Sequence, residues 1–338
     1  MVKKLSLMLL ILFLICGCAK NPPPMVEIQD FAMDTYFRLV APSLDGAQVN
    51  LIKEEVARLD HLFNRFSPDS DISRINENAG RWLDVKQDTI ELLAAARELA
   101  AVTDGYYDPT IGPLVELWQI VSPGEEDEND WRPPAREAVD ATLDLINYQG
   151  LALDPERGAV CLDRPGMKLD VGGIAKGYAV DRVAQLLRDW QVTGALIDFG
   201  GDYYALGRHP EGRPWKLGIR HPREPETLIA YLTVENQAVT TSGDYQRFRT
   251  FAGQRYSHLL NPKNGYPARG LTSVTIVAPT GTAADALATA VFILGPERGK
   301  ELVESLPEVE AVLIDEQPDI WVSSGLKVHV FLPPENRT

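Results

Sequence analysis

The chain has 338 residues, of which 45% are hydrophobic and 24% are charged, a balance typical of a folded globular protein rather than a disordered one. Its 48 Asp and Glu residues outnumber 33 Lys and Arg residues, which gives a formal net charge of −15. This acidity argues against nucleic acid as a partner, and it requires that any anionic ligand be held by local donors or by a cation.

The N-terminal residues predict export. Lys3 and Lys4 precede an apolar stretch at residues 5–15, which is too short to span a bilayer as a mature helix but is typical of a signal peptide. The residues that follow resemble a bacterial lipobox with Cys18 as the lipidated residue. With Cys18 lipidated, the mature chain keeps only Cys161, so no intramolecular disulfide can form.

These features predict three segments along the chain. We expect a signal peptide over residues 1–17, a Pro-containing spacer next to the lipid anchor over 18–25, and a single folded domain over 26–335. The predicted location is therefore a membrane surface on the periplasmic or extracytoplasmic side. A soluble secreted protein is the alternative.

Helices are predicted first in the folded part, and strands later. Apolar residues recur at helical spacing in two stripes, which are Val49, Ile52, Val56, Leu59 and Phe63, and then Ile90, Leu93, Ala96 and Leu99. Short strands bounded by Gly and Pro are predicted over residues 194–199, 215–220, 228–234 and 272–278.

The run from Asp170 to Asp181 predicts a strand that ends in a carboxylate, a turn through Gly172 and Gly173, and the start of a helix. A glycine pair lets the backbone approach a ligand closely, and Lys176 lies in the first turn of the helix, so the pattern suits a phosphate group. A tight turn in which the glycines only relieve crowding is the alternative interpretation.

Two further polar segments follow the strands. Residues 240–245 concentrate hydroxyl groups and the Asp244 carboxylate at a predicted strand end, which could contact a ligand or form a self-bonded turn. In the segment 256–267, a strand that carries His258 runs into an Asn-Gly turn. His258 is one of five histidines and is placed to contact phosphate or to accept a proton, although a strand histidine bonded to backbone is the plainer possibility.

A helix containing Asp285 and Thr289 is a further chemical segment. Residues four apart share one helix face, and a carboxylate with a hydroxyl, lacking His or Cys nearby, suits a hard cation such as Mg²⁺. The alternative is an Asp at a helix start, favoured by the helix dipole, and a Thr bonded to its own backbone.

A weak internal repeat is visible, because a helix after Gly173 and another after Asp285 each lead into an apolar strand. If these two helix-plus-strand units are duplicated, the two helix starts would face one site, whereas chance similarity of apolar strands is the alternative.

Together these segments resemble the FAD:protein FMN transferases of the ApbE family. The similar motifs occur in family order and cover nearly the whole mature chain. They are Met33-Asp34-Thr35, the segments 66–76 and 105–114, the run 170–181, Gly200-Gly201-Asp202, Thr241-Ser242-Gly243-Asp244-Tyr245, Ser257-His258 and the segment 284–290.

The resemblance implies roles for particular residues. Those expected to line the FAD pocket are Met33, Phe66, Tyr106, Tyr107, Asp108, Asp170, Lys176, His258 and Leu259, and Mg²⁺ would be held by the Gly173 carbonyl with the side chains of Asp285 and Thr289. Two positions depart from the family pattern. Asp34 stands where the motif is commonly glycine, and Phe66 stands where many relatives have tyrosine, so stacking is kept without the hydroxyl.

The implied activity is Mg²⁺-dependent transfer of FMN from FAD, through a phosphoester bond, to a Thr or Ser of an acceptor flavoprotein, with release of AMP. His258 or Asp244 is the predicted base. The acceptors implied are exported subunits of redox membrane complexes that carry the motif Asp-x-x-Ser/Thr-Gly-Ala/Ser-Thr. Two other functions remain open, namely Mg²⁺-dependent hydrolysis of FAD to FMN and AMP, and flavin binding without chemistry.

The implied fold is an α+β, ApbE-like (T-fold-like) arrangement. It has mainly antiparallel sheets flanked by helices, and the FAD site lies between two lobes. A Rossmann fold is not expected, because the 170–181 run lacks the dinucleotide fingerprint and no regular series of βαβ units surrounds it.

Overall fold

The computed structural model of the chain describes residues 24–120, 131–224 and 226–330. The predicted signal peptide, Cys18 and most of the predicted spacer lie outside the described residues. Within the described ranges, no helix combines the length and apolar character needed to span a bilayer.

The helices fall into an early group and a late group along the chain. They are α1 (Gly46–Phe63), α2 (Asp71–Glu77), α3 (Gln87–Val102), α4 (Gly112–Trp118), α5 (Arg136–Leu143), α6 (Ala175–Asp189), α7 (Gly281–Leu294) and α8 (Pro296–Ser305). Their local sequences explain where some of them start. Asp45 forms a reciprocal capping box with Gln48 at the start of α1, and the Thr280 side chain caps α7.

The strands are concentrated in the second half. They are β1 (Met25–Ala32), β2 (Thr35–Pro42), β3 (Leu83–Asp84), β4 (Leu151–Asp154), β5 (Ala159–Leu162), β6 (Gly194–Phe199), β7 (Asp202–Gly207), β8 (Trp215–Arg220), β9 (Leu228–Val234), β10 (Gln237–Gly243), β11 (Phe248–Phe251), β12 (Gln254–Ser257), β13 (Leu271–Ala278), β14 (Glu310–Asp315), β15 (Ile320–Val322) and β16 (Val328–Val330).

One eight-stranded sheet organises the fold. Its order is β1-β2-β6-β7-β10-β13-β14-β15, and every neighbouring pair in it is antiparallel. Helices α6 and α7 pack on one face of this sheet and build the main core with it. The expected α+β fold, with mainly antiparallel sheets flanked by helices, is therefore confirmed.

The opposite face of the large sheet is covered by a small sheet of order β16-β9-β8. Along β8, Trp215, Leu217 and Ile219 are buried whereas the residues between them are exposed, so the strand turns one face toward the large sheet. Residues of α6 and α7 on one side and of β8 and β9 on the other both line the cleft described below.

The predicted helical stripes form α1 and α3, and the four predicted strands are β6, β8, β9 and most of β13. Two local predictions are wrong. No strand of the described residues ends at Asp170, because β5 stops at Leu162, residues 163–166 turn, and the segment after them makes one isolated bridge, between Lys168 and Ile111. Asp285 does not start its helix, since α7 begins at Gly281 behind the Thr280 cap and Asp285 lies one turn further on.

The starts of α6 and α7 nevertheless meet. Gly177 and Gly281 are in backbone contact, and a Cβ added to Gly177 would lie only 2.1 Å from the Gly281 carbonyl oxygen. The Asp181 carboxylate of α6 accepts hydrogen bonds from Gly281 N at 2.7 Å and from Thr282 N at 2.8 Å. These contacts fix the first turns of both helices against each other.

Candidate active site

A cleft of about 1430 Å³ gathers the predicted FAD and metal residues. Its lining includes Met33, Phe66, Tyr106, Tyr107, Asp108, Asp170, Gly173, Lys176, His258, Leu259, Asp285 and Thr289. These residues come from distant parts of the sequence, so the fold brings together what the sequence predicted separately. The volume exceeds the usual range for a small-molecule pocket and leaves room for more than one ligand.

The turn between β1 and β2 forms one part of the cleft wall. Met33 and Asp34 both have positive φ values, 52° and 59°, which are typical of a tight hairpin turn that favours Gly, Asn or Asp. Asp is among the residues that tolerate this conformation, which explains why Asp34 can stand where the family motif has glycine. The Asp34 carboxylate also accepts a hydrogen bond from Arg247 at 2.9 Å.

Asp170 organises a second part of the wall. Its carboxylate accepts a hydrogen bond from Gly172 N at 2.9 Å and forms an ion pair with Arg65 at 3.1 Å. The Arg65 guanidinium lies over the Phe66 ring, 4.4 Å from its centroid. Phe66 is 72% exposed, so one ring face is held by Arg65 while much of the ring remains accessible for stacking.

The expected cradle of backbone N–H groups is only partly formed. Besides Gly172 N, the amides of Ile174 and Ala175 donate to Val171 O, and Gly177 N donates to Asp285 Oδ2 at 3.1 Å. These amides serve the turn and the neighbouring helix. The helix start is therefore mainly a structural device, and charged side chains carry more of any anion binding.

The segment after Gly105 supplies buried polar groups. Asp108 accepts hydrogen bonds from Thr110 N, Thr110 Oγ1 and Tyr148 N, and burial raises the pKa of its carboxyl group. Asp108 thus lines the cleft while its oxygens hold the loop. The Tyr107 hydroxyl is buried without a hydrogen-bond partner among the described residues, and burial raises the pKa of this phenol well above its usual value.

Oxygen atoms suited to a hard cation lie beside Tyr107. Asp285 is buried and lies one turn from Thr289 on α7, and the Thr289 Oγ1 atom is 3.0 Å from the position that a Cβ on Gly173 would occupy. No three His, Cys, Asp or Glu side chains of the described segments converge on one point. A carboxylate, a hydroxyl and a carbonyl fit Mg²⁺, which keeps part of its coordination for water or phosphate. The unpartnered Tyr107 hydroxyl could form a hydrogen bond to that water or phosphate.

Lys176 lies between two carboxylates. Its Nζ atom is 2.8 Å from Asp202 Oδ2 and 3.3 Å from Asp285 Oδ2. Burial raises the pKa of Asp202, although the nearby ammonium opposes that shift. The pKa of Lys176 is raised because both carboxylates outweigh the effect of burial, so Lys176 stays charged.

His258 is held in a defined protonation state. Its Nδ1 atom lies 3.0 Å from the Arg247 carbonyl oxygen, and because that oxygen can only accept, Nδ1 carries the proton and Nε2 keeps its lone pair. Burial lowers the pKa of His258 to about 4, and the positive charges of Arg247 and Lys176 act in the same direction. The imidazole is therefore neutral at pH 7.

Asp244, the other predicted base, does not line this cleft. It lines a separate cavity of about 310 Å³, where Arg223 donates to both of its carboxylate oxygens at 2.7 and 2.8 Å. Asp244 is thus placed apart from the cleft that gathers the other predicted site residues. That Asp244 serves as a base stays a prediction, and His258 is the candidate base that lines the cleft.

Four residues that the sequence did not single out support the site. They are Arg65 beside Phe66, Asp181 beneath α7, Asp202 beside Lys176, and Arg247 beside His258. Asp181 and Asp202 lie inside the motifs noted above, but their partners are distant in sequence. Spacing alone could not reveal these roles.

Comparisons with known proteins identify the family of the chain. The family model described as the ApbE family matches residues 33–313. The chain is 34% identical over 285 residues to an FAD:protein FMN transferase of Klebsiella pneumoniae (strain 342), covering 83% of this chain and 86% of that protein. It is 30% identical over 304 residues to the enzyme so named from Escherichia coli (strain K12), covering 85% of each.

Solved structures show the same fold. The structure is similar to the crystal structure of the ApbE protein from Thermotoga maritima, with a TM-score of 0.82 and 34% identity over 89% of this chain and 97% of that one. It is also similar to the flavin transferase ApbE from Vibrio cholerae, with a TM-score of 0.79 and 26% identity over 90% of this chain and 98% of that one. From its motifs, its cleft and these relatives, the chain belongs to the ApbE family of FAD:protein FMN transferases.

Proposed function

We propose that this enzyme uses Mg²⁺ to transfer FMN from FAD to a serine or threonine hydroxyl of an exported flavoprotein, with release of AMP. One observation carries the proposal. The same cleft holds a cationic Lys176, an oxygen set at Asp285 and Thr289, and a neutral His258 whose Nε2 lone pair is available. A phosphoryl transfer to a hydroxyl needs these three kinds of group together.

Binding of FAD would use rings and charges of the cleft wall. Phe66, backed by the Arg65 guanidinium, offers an accessible aromatic face to a flat ring of the substrate. Lys176 offers the ammonium that a pyrophosphate needs in an acidic protein. These two contacts would orient FAD with its pyrophosphate toward α7.

Gly173, Asp285 and Thr289 are the residues that would hold Mg²⁺. The bound ion would supply neutralisation of the pyrophosphate charge and electrostatic stabilisation of the transition state. The buried Tyr107 hydroxyl lies beside this oxygen set and would gain a hydrogen-bond partner from the bound substrate or from water.

His258 would act as the general base. Its Nε2 atom accepts the proton of the acceptor hydroxyl while that oxygen attacks the phosphorus on the FMN side of the pyrophosphate. A phosphoester P–O bond forms to the acceptor, the P–O bond to the AMP phosphate breaks, and AMP leaves with the electron pair. The Arg247 carbonyl holds the imidazole in the tautomer that this step requires.

The cellular setting follows from the N-terminal sequence. A signal peptide over residues 1–17 and lipidation at Cys18 would anchor the enzyme on the outer side of a membrane, where exported acceptors carrying the motif Asp-x-x-Ser/Thr-Gly-Ala/Ser-Thr are accessible. Labelling of the full chain with a radioactive fatty acid in cells, compared with a Cys18→Ala variant, tests the anchor. Equal labelling of the two proteins would contradict it.

The reaction is tested by incubating the purified enzyme with FAD, Mg²⁺ and a domain that carries the acceptor motif. We expect covalent flavin fluorescence in a denaturing gel, together with one AMP for each FMN transferred. AMP without covalent flavin would indicate FAD hydrolysis instead, and unchanged FAD would indicate a flavin carrier. The Asp285→Ala variant should lose the Mg²⁺-dependent reaction, whereas full wild-type activity in EDTA would contradict the metal assignment.

A further inference from the structure

Lys176 occupies a position that a metal cation could share. Its Nζ atom lies 3.3 and 3.5 Å from the two Asp285 oxygens, 2.8 Å from Asp202 Oδ2 and 3.4 Å from the Gly172 carbonyl oxygen. The side chains of Asp202 and Asp285 are only 5% and 4% exposed. A single ammonium thus serves as counter-ion to two buried carboxylates.

Asp285 therefore has two competing uses. It accepts the Lys176 ammonium, and it is also the only carboxylate in the proposed Mg²⁺ ligand set of Gly173, Asp285 and Thr289. Two cations that share one buried carboxylate repel each other. Metal binding at Asp285 is consequently opposed as long as Lys176 stays close to it.

We propose that Lys176 is an internal competitor of the metal for Asp285, and that Asp202 is the positioning residue that retains the ammonium when the metal binds. The competition makes metal binding weak in the free protein. A diphosphate group attracts the ammonium away from Asp285 and so strengthens metal binding. This inference rests on the proposed metal site, and it adds a coupling between metal and substrate that the site alone does not require.

The geometry assigns the second role to Asp202. Its Oδ2 atom makes the shortest of the contacts to the ammonium, and Asp202 lies at the start of β7 rather than on α7. Withdrawal of Lys176 from Asp285 therefore leaves the ammonium with a carboxylate partner, so the lysine is never buried without a counter-ion. Asp202 acts through Lys176 and not as a metal ligand.

Metal affinity tests the competition directly. Mn²⁺ binding to the purified protein is measured by electron paramagnetic resonance, without flavin and without acceptor, for wild type and for Lys176→Met. We expect the variant to bind Mn²⁺ about tenfold more tightly, because it lacks the competing charge. Lys168→Met is the matched control, since Lys168 pairs with Glu116 outside the cleft, and its Mn²⁺ affinity should equal that of wild type. Equal or weaker binding by Lys176→Met overturns the proposal.

Addition of ADP tests the coupling. In wild type ADP should tighten Mn²⁺ binding through its own phosphates and also by drawing Lys176 away, whereas in Lys176→Met only the first effect remains. The factor by which ADP tightens Mn²⁺ binding should therefore be about tenfold smaller in Lys176→Met than in wild type. This difference equals the gain in Mn²⁺ affinity that Lys176→Met already shows without ADP. The same tightening in both proteins would show that Lys176 only contacts phosphate.

A double-mutant cycle tests Asp202 and guards against misfolding. If Asp202 acts through Lys176, Asp202→Asn weakens Mn²⁺ binding in wild type but has a much smaller effect in the Lys176→Met background. Equal effects in both backgrounds would contradict its positioning role. The double variant lacks both the ammonium and the Asp202 charge. If Lys176 competes with the metal, the double variant should bind Mn²⁺ more tightly than Asp202→Asn does. This comparison tests the competition even if Lys176→Met alone fails to fold. These measurements need no flavin transfer, so they can succeed or fail independently of the proposed reaction.

Discussion

Gly177 of α6 and Gly281 of α7 lie in backbone contact, and their contact sets where the Asp285 carboxylate is placed. A Cβ on Gly177 would also lie 2.9 Å from Asp285 Cβ, and the Gly177 N–H group donates to Asp285 Oδ2 at 3.1 Å. The close approach of the two helices is therefore part of the site. A side chain at either glycine would separate the helix starts.

The Gly177→Ala substitution tests this contact. We expect a loss of about 1 to 3 kcal/mol in the free energy of unfolding, as for an overpacked core, and a fall in transfer activity because Asp285 moves. Unfolding in urea and the FMN transfer assay measure the two effects. Gly46→Ala is the control, because a Cβ at Gly46 meets no atom within 4 Å. Wild-type activity and stability in Gly177→Ala would contradict the role of the contact.

The Asp181 carboxylate anchors the first turn of α7. It accepts hydrogen bonds from the N–H groups of Gly281 and Thr282 and, at 2.6 Å, from the Thr282 hydroxyl. We expect Asp181→Ala to destabilise the protein by about 1 to 2 kcal/mol and also to reduce kcat, because α7, which carries Asp285 and Thr289, loses its anchor.

Asp45→Ala is the matched control for Asp181. Asp45 caps α1 through Gln48 and does not line the cleft, so its removal should lower stability by about 1 kcal/mol with kcat unchanged. Chemical denaturation and steady-state kinetics distinguish the two positions. If both variants kept wild-type kcat, Asp181 would be a stabilising cap and nothing more.

The pH dependence of transfer follows from His258. Burial holds the pKa of this imidazole at about 4, so the proposed base would be lost only when the pH falls toward that value. We expect kcat/KM for the acceptor to fall on the acid side of its pH profile only well below pH 6.5, which is the ordinary pKa of histidine. A limb centred at pH 6.5 or above would contradict this assignment.

The same shift affects stability with a defined sign. Below about pH 6.5 the unfolded chain protonates His258 while the folded protein does not, so this group makes stability fall as the pH drops from about 6.5 toward 4. His258→Gln should remove that contribution. Thermal unfolding at pH 7 and pH 5 should show a smaller loss of Tm in the variant than in wild type.

The placement of Asp244 outside the cleft gives a contrasting expectation. Because Asp244 pairs with Arg223 in a separate cavity, Asp244→Asn should keep most of the transfer activity, whereas His258→Gln should lose at least about a hundredfold. Initial rates of AMP release under identical conditions compare the two variants. Similar losses in both would support Asp244 as a base.

Sequence patterns predicted the elements well where a periodicity extends over several turns or strands. The stripes of α1 and α3 and the strands β6, β8 and β9 follow the expected positions. The apolar pattern wrongly predicted a strand before Asp170, because the apolar residues there are buried but do not pair continuously with a neighbouring strand. It also misplaced the start of α7, because the Thr280 side chain caps this helix one turn before Asp285.

The site residues were predictable as types, but their partners were not. Spacing brought Asp285 and Thr289 together because both lie on one helix, whereas the contact of Lys176 with Asp202 depends on how α6 meets β7. His258 could be singled out by residue type, but the Arg247 carbonyl that fixes its tautomer could not. Contacts between distant segments depend on tertiary packing, which local patterns do not encode.

The acidic pair beneath Lys176 also has an evolutionary consequence. Two buried carboxylates that share one ammonium reduce the stability of the fold, since apolar residues of similar volume would pack there without a desolvation penalty. In a population freed from the need to attach flavin, mutations at Asp202 and Asp285 would therefore be favoured or tolerated early. Homologues that keep the fold but have lost this pair would mark lineages in which the ancestral chemistry has been abandoned.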